Sequence, residues 1–358
     1  MSSFIFIVNI MCIRFFISAL CLSLLTTSFA QQKNYQAICV GFYNFENLFD
    51  TEDDPKIRDD EFLPEGKRLW NKDLYQEKLA NMAKVVAMLG TNVTPDGPAI
   101  LGVCEVENKK VLEDFVTESA VANRNYKIAH RDSPDKRGID VALLYQEKYF
   151  QFESLKAFPL GVIKPNGDTL FTREVLLVSG TLNGEPTHVM INHWPSRSGG
   201  ENKAAKYRHR AGEVCKIVSD SLYKDNPNCN ILIMGDLNDD PTSPSIKKVL
   251  QAKPTVNKTP DGGLYNPFCD FYKMGNGTTA YRDSWSLFDQ IIISKSLLTD
   301  DKNQWRYYKS EIFKQPWMIQ TNGQYKGYPK RTFSGDKYNG GYSDHLPVLI
   351  YLVKEVKS

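Results

Sequence analysis

The sequence predicts an α/β fold in which mixed β-sheets pack on one another beneath helices. Short runs rich in Val, Leu and Ile alternate with helical patterns, several neighbouring runs are spaced to pair as hairpins, and few form clean β-α-β repeats. At 42% hydrophobic and 24% charged over 358 residues, the composition is that of a folded globular chain. That excludes a disordered or collagen-like chain, and no fixed-period repeat is present.

The first thirty residues stand apart. Ser18–Leu25 is almost wholly apolar, Arg14 lies just upstream, and Ser28-Phe29-Ala30 closes the stretch with small residues. This predicts a secretory signal over residues 1–30, cleaved to leave an exported protein, periplasmic or extracellular, that begins at Gln31. Met11 is an alternative start, and a retained anchor is the rival reading, disfavoured by the shortness of the segment. Cleavage removes one charge and takes the net from +2 to +1, so no global basic footprint marks a tight DNA binder. It also removes Cys12 and Cys21, and the five remaining cysteines are expected to be mostly buried thiols.

Ala37–Phe42 reads as a first strand, followed by an acid-rich loop. Asp73 reads as an N-cap, with Gln76 three residues on, for an amphipathic helix through Leu74, Leu79, Met82, Val86 and Leu89 that Gly90 ends. Ala99–Cys104 is a buried strand, and residues 109–118 a helix. Ile139–Tyr145, Phe171–Leu182 and Thr187–Asn192 are strands, Glu201–Tyr223 a long helix, and Asn230–Met234, Phe288–Ile293 and Val348–Val353 further strands. Residues 31–358 read as a single catalytic domain.

Three places carry chemistry. In Ile231-Leu232-Ile233-Met234-Gly235-Asp236-Leu237-Asn238 an apolar strand runs into Asp236 and Asn238, two apart and so facing the same way at a strand's carboxyl end. An ordinary turn would use the same residue types. Tyr342-Ser343-Asp344-His345 sets a carboxylate beside an imidazole just before the last strand, and His193 stands at another strand end. Glu105 ends a buried strand, where a carboxylate is costly unless paired or bound to a cation; oxygen ligation suits Mg²⁺. Glu107, nearer the coming helix, reads as a cap.

Together these motifs, in order over residues 37–353, resemble the endonuclease/exonuclease/phosphatase superfamily. Gly41-Phe42-Tyr43-Asn44 is similar to its opening strand, Arg137-Gly138-Ile139-Asp140 and Phe171-Thr172-Arg173 to two further strands, and Phe288-Asp289-Gln290 to its aspartate strand. Cys104 stands where a glutamine is usual. The resemblance implies a four-layer α/β sandwich and Mg²⁺- or Mn²⁺-dependent phosphoester hydrolysis. It implies metal ligation by Glu105 and Asp344, and catalytic roles for Asn44, Asp140, His193, Asp236, Asn238, Asp289 and His345. Asp236 would activate water, Asp289 would favour the protonated form of His345, Asp140 would back His193, and Arg173, Asn238 and His345 would meet the phosphate.

The substrate is expected to be a phosphodiester, nucleic acid first, with an endonuclease the leading subtype. A phosphomonoesterase or a lipid or sugar phosphodiesterase is the enzymatic alternative, and a catalytically silent binding protein the non-enzymatic one. Basic stretches at Arg197–Arg210, and among aromatics at Tyr325–Tyr342, are the candidate backbone guides. No protein partner is implied.

Overall fold

Alternation along the apolar runs sets the layers of the fold. In the strand Asn34–Leu48 (β1), Ile38, Val40 and Phe42 face one core while Cys39, Tyr43 and Phe45 face another. The structure, a computed structural model, describes residues 34–356 except Pro165, Ser198 and Gly199, without the side chains of residues 201–203. The expected signal segment lies outside the described residues. The chain divides into a large compact unit, residues 36–354, and a small one made of its two ends, within which only Asn34, Tyr35, Glu355 and Val356 are described.

After β1 come β2 (Pro98–Val106), β3 (Tyr126–His130), β4 (Asp140–Gln146), β5 (Phe150–Phe158), β6 (Val175–Leu182), β7 (Glu185–His193) and β8 (Asn230–Asp236). Then follow β9 (Leu264–Tyr265), the hairpin β10 (Thr279–Tyr281) and β11 (Ser284–Ser286), β12 (Asp289–Ser294), β13 (Arg306–Ile312), the hairpin β14 (Phe333–Ser334) and β15 (Lys337–Tyr338), and β16 (Val348–Val356). Apart from the two hairpins, which stand as separate two-stranded sheets, they build two mixed six-stranded sheets, in the orders β13-β16-β1-β2-β4-β3 and β5-β6-β7-β8-β12-β9.

The sheets face each other across a core to which Phe42, Cys104 and Ile350 contribute from one side and Ile191, Met234 and Ile291 from the other. Gly102 permits the close approach: a Cβ there would lie 2.5 Å from Met234 Sδ. On the outer face of the first sheet, Leu101 and Val103 pack with helices α1 (Lys72–Met88) and α2 (Lys109–Thr117) through Leu79, Val86, Leu112 and Phe115. On the outer face of the second, Met190, Ile231 and Ile233 pack with α3 (Glu201–Asp225) through Ala211, Val214 and Val218. Helices, sheet, sheet and helix make the four-layer α/β sandwich. Among the described residues no helix is long and apolar enough to cross a membrane.

Several boundaries differ from the sequence reading. Asn71, not Asp73, caps α1: its side chain accepts from the backbone N–H groups of Asp73 and Leu74, and Asp73 already lies in the first turn. Asn108, not Glu107, caps α2, accepting from Val111 N; Glu107 instead accepts from Asp50 N, and burial pushes its carboxyl up to about 8. The strand expected from Phe171 begins at Val175. Of the described strands that the sequence did not announce, the three longest, β3, β5 and β13, lie at sheet edges, and the others are pieces of two or three residues. An edge strand keeps polar residues outward, which blurs its alternation. The five described cysteines are buried, unbridged thiols, as expected, and Cys215 donates to Asn192 Oδ1.

Candidate active site

Strand direction gathers the polar residues at one end of the two sheets. β1 and β2 run parallel and bring Asn44 and Glu105 to the same rim. β7 and β8 are also parallel, with His193 opposite Asp236, and β12 runs antiparallel to β8, with Asp289 opposite Asp236 on its other side. Asp236 therefore sits between an imidazole and a carboxylate by register alone.

Asn44 ties the two sheets together. Its Nδ2 donates to Glu105 Oε1 and to Asp236 Oδ2, 3.2 Å each, while its Oδ1 accepts from Glu46 N at 2.8 Å, which fixes the orientation of the amide. The backbone is bent to achieve this. Glu46, Asn47 and Glu105 all have positive φ (47°, 52° and 58°), and the ladder slips beside each. Such conformations cost roughly 1–3 kcal/mol each and persist where the surroundings enforce them. Here they bring Asn47 N to Glu105 Oε2 at 3.0 Å and leave the Glu105 side chain 16% exposed at the rim.

Two histidines flank Asp236 in opposite electrostatic settings. His345 Nδ1 lies 2.7 Å from Asp289 Oδ2, and its Nε2 lies 3.8 Å from Asp236 Oδ2. Burial alone would depress the imidazole, but the carboxylates of Asp289 and then Asp236 overrule it and hold His345 well above the ordinary value. His193 Nε2 stands 3.8 Å from Glu105 Oε1 and 3.7 Å from Asp236 Oδ2, and its buried Nδ1 has no hydrogen-bond partner. Burial, then the guanidinium groups of Arg173 and Arg137, hold it well below the ordinary value. Asp236 itself is raised to about 7, by burial first, with Asp289 and Glu105 adding to the rise and His345 opposing it.

Other expected residues are placed differently. Asp140 does not back His193; its Oδ2 pairs with His130 Nε2 at 2.9 Å and its Oδ1 accepts from Ser133 N. Arg173 is buried and bound inward, donating to His193 O, Trp194 O and, at 2.7 Å, Asp135 Oδ2. The guanidinium thus holds the His193 loop instead of facing a phosphate. Asn238 takes a left-handed conformation (φ 49°), accepts nothing from Asp236 but donates its own N–H to Asp236 Oδ1, and sends Nδ2 to Trp194 O. Asp344 Oδ2 accepts from Arg331 at 2.8 Å, and the close donor sets among the described residues do not include it. In the basic stretch after His193, Arg197 and Arg208 pair with Asp239, and Arg210 with Glu213.

One network went unseen in the sequence. Lys78 on α1 is wholly buried, donates to Thr332 Oγ1 at 2.6 Å and Tyr342 O at 3.0 Å, and lies 3.8 Å from Glu46 Oε2. Ser343 Oγ then donates to Asn44 O, and His345 N donates to Ser343 Oγ. A lysine at core spacing, three residues after Tyr75 and four before Met82, was the available signal.

The donors fit a divalent cation. Glu105, His193 and Asp236 offer one atom each within 4.8 Å of one another; the equally close set of Asp236, Asp289 and His345 is instead occupied by the Asp289–His345 ion pair, whose protonated ring has no lone pair to offer a metal. Burial is the first cause of the raised Asp236 carboxyl, but the Asp289 and Glu105 carboxylates add to it, and a cation would relieve that part of the rise.

Such an acidic, imidazole-flanked rim on a four-layer sandwich defines a metal-dependent phosphoester hydrolase. The endonuclease/exonuclease/phosphatase family model matches residues 39–354, and the chain belongs to that family. Solved structures share the fold. A family protein from Bacteroides thetaiotaomicron is 16% identical with a TM-score of 0.54, over 90% of this chain and 100% of that one. TDP2 of D. rerio, complexed with a single-strand DNA product, gives 12% and 0.53, over 88% and 99%. A mannosyl-6-phosphatase of B. thetaiotaomicron gives 15% and 0.53, also over 88% and 99%. No curated protein matches the sequence.

Proposed function

We propose that the protein is an exported phosphodiesterase that hydrolyses nucleic acid with the help of Mg²⁺ or Mn²⁺. The reading is carried by the asymmetric surroundings of Asp236, with a carboxylate-and-amide corner on one side and an Asp289-held imidazolium on the other. Export rests on the pattern of residues 14–30.

In this reading the scissile phosphate lies across the rim. Asp236, set between the Asn44 amide and the His345 ring, takes the proton of the attacking water. Asn44, held by Glu46 N, keeps the Asp236 carboxylate aimed. As the phosphorus–leaving-oxygen bond breaks, charge on the phosphoryl oxygens is met by His345, preorganised by Asp289. His193, neutral and backed by Arg173 through the backbone, offers a hydrogen bond to the phosphate. Glu105 would hold the cation, with Asp236 beside it, and the ion would supply Lewis-acid neutralisation of the phosphate.

The test is turnover of a single-stranded oligonucleotide, of bis-p-nitrophenyl phosphate and of p-nitrophenyl phosphate, with Mg²⁺ or with EDTA, by wild type and Glu105→Ala. We expect both diesters to be cleaved, EDTA to abolish cleavage, and calorimetry to show Mg²⁺ affinity largely lost in Glu105→Ala. Cleavage of the monoester alone would overturn the reading.

A further inference from the structure

Beside the rim lies a hollow of about 650 Å³, and of the cations that line it only Arg137 acts on the rim, through His193. Arg58, Lys136, Arg137 and Lys164 line it, against only Asp135 and Asp168. Asp135 is already committed to the buried Arg173 at 2.7 Å, with Arg137 Nε 3.6 Å away. Among the described residues no ion pair engages the side chains of Arg58, Lys136 or Lys164. Three cations without an ion pair, and Arg137 sharing Asp135 with Arg173, face only one further carboxylate, Asp168, and make a local positive field on a chain of net charge +2.

The hollow has a built wall. Arg58 N donates to Lys136 O, and Ile57 fills the space that a Cβ on Gly138 would need, so the Arg58 and Lys136 loops are locked together. Lys164 N donates to Asp168 O and Leu170 N to Val162 O, forming the opposite bank. At the lip Phe171 is 49% exposed, with Lys136 Nζ 5.4 Å from its ring centre. A large exposed ring beside unpaired cations suits a stacked base next to a phosphate.

The hollow adjoins the catalytic rim. Asp135, on its floor, is one guanidinium from His193: Arg173 grips Asp135 at one end and His193 O at the other. A second hollow of about 480 Å³, which shares Asp135, Lys136 and Phe171, reaches Asp140 on β4.

We propose that this hollow is a second phosphate-binding site, in which Arg58, Arg137 and Lys164 hold the backbone of a single-stranded nucleic acid and Phe171 stacks one of its bases, while the scissile phosphate lies at Asp236. The proposal rests on the nuclease reading for its substrate, but its test does not need turnover. A labelled single-stranded oligonucleotide of about twelve nucleotides is titrated with full-length protein in EDTA at several salt concentrations. Wild type should bind with marked salt dependence. The double variant R58A/K164A should bind on the order of tenfold more weakly, with a salt slope lower by about 1.4, the release expected for two phosphate contacts on a single strand. Phe171→Ala should weaken binding by roughly fivefold or more without changing the slope. Turnover of bis-p-nitrophenyl phosphate, too small to reach the hollow, should be unchanged in both variants, which also shows that they fold. Absence of oligonucleotide binding by wild type, unchanged affinity in R58A/K164A, or an equal loss of bis-p-nitrophenyl phosphate turnover would each overturn the site. Binding with these variant effects but without oligonucleotide cleavage would keep the site and sink the nuclease reading alone.

Discussion

His193 and His345 are the same side chain, both buried, both within 4 Å of Asp236, and yet they are held in opposite charge states. His345 has a carboxylate at 2.7 Å; His193 has guanidinium charge behind it and an orphan Nδ1. Burial depresses both, so the neighbours decide. Distance to the shared aspartate decides nothing, because the two separations differ by 0.1 Å. When environments push like groups apart in this way, they divide the roles: one supplies charge to the phosphate, the other a neutral hydrogen bond.

The largest consequence is catalytic. His345→Ala should lower kcat by on the order of a hundredfold or more with little change in KM, because its charge matters mainly in the transition state. Asp289→Asn should act as a milder version, and the two changes should be non-additive in a double-mutant cycle. His193→Gln keeps a neutral hydrogen-bonding group and should cost about tenfold. Equal losses at the two histidines would break the comparison.

A second contrast concerns the buried cations. Arg173 has a short ion pair with Asp135, whereas Lys78 has only a distant one, 3.8 Å from Glu46, bridged by Thr332. Lys78→Met should strand Glu46 and destabilise the fold by about 3–5 kcal/mol. Adding Glu46→Gln should recover part of that loss, read as denaturation midpoints. If the double variant is no more stable than Lys78→Met, the two groups do not form a pair.

A smaller effect is the pH dependence of stability without metal. His193 is neutral when folded, so it adds a small gain in stability as the unfolded chain loses its proton through 6.5, and it drops out about a unit above. His345 keeps its proton in the folded state after the unfolded chain has lost it, so its contribution is complete below 6.5 and declines as pH rises through its raised value. Asp236 and Glu46, each raised to about 7, and Glu107, raised to about 8, act in the same direction. The melting temperature in EDTA should therefore fall from pH 6.5 to about 8, and a rise would contradict these assignments.

The sequence made the layers and the strand ends legible because period-two apolar runs place their own termini. Asn44, Glu105, His193, Asp236, Asp289 and His345 could be located at one rim from strand direction and motif order. Partners could not be read in the same way. Asp140 meets His130, Arg173 meets Asp135, and Asp344 meets Arg331, across 10, 38 and 13 residues of sequence. Each pairing depends on loop paths that no local pattern encodes. Lys78 was hidden for a related reason: a charge on a helix's apolar face reads as an irregularity until Glu46 and Thr332, from distant segments, close around it.

Opposite charge states at His193 and His345 are the centre of this account, and nitrogen chemical shifts of the imidazole rings report them directly. Uniformly ¹⁵N-labelled protein in EDTA, assigned with His193→Gln and His345→Gln, should show His345 still doubly protonated when pH has passed the ordinary histidine value of 6.5. His193 should remain a single neutral tautomer well below that value. Two rings titrating together near 6.5 would contradict it.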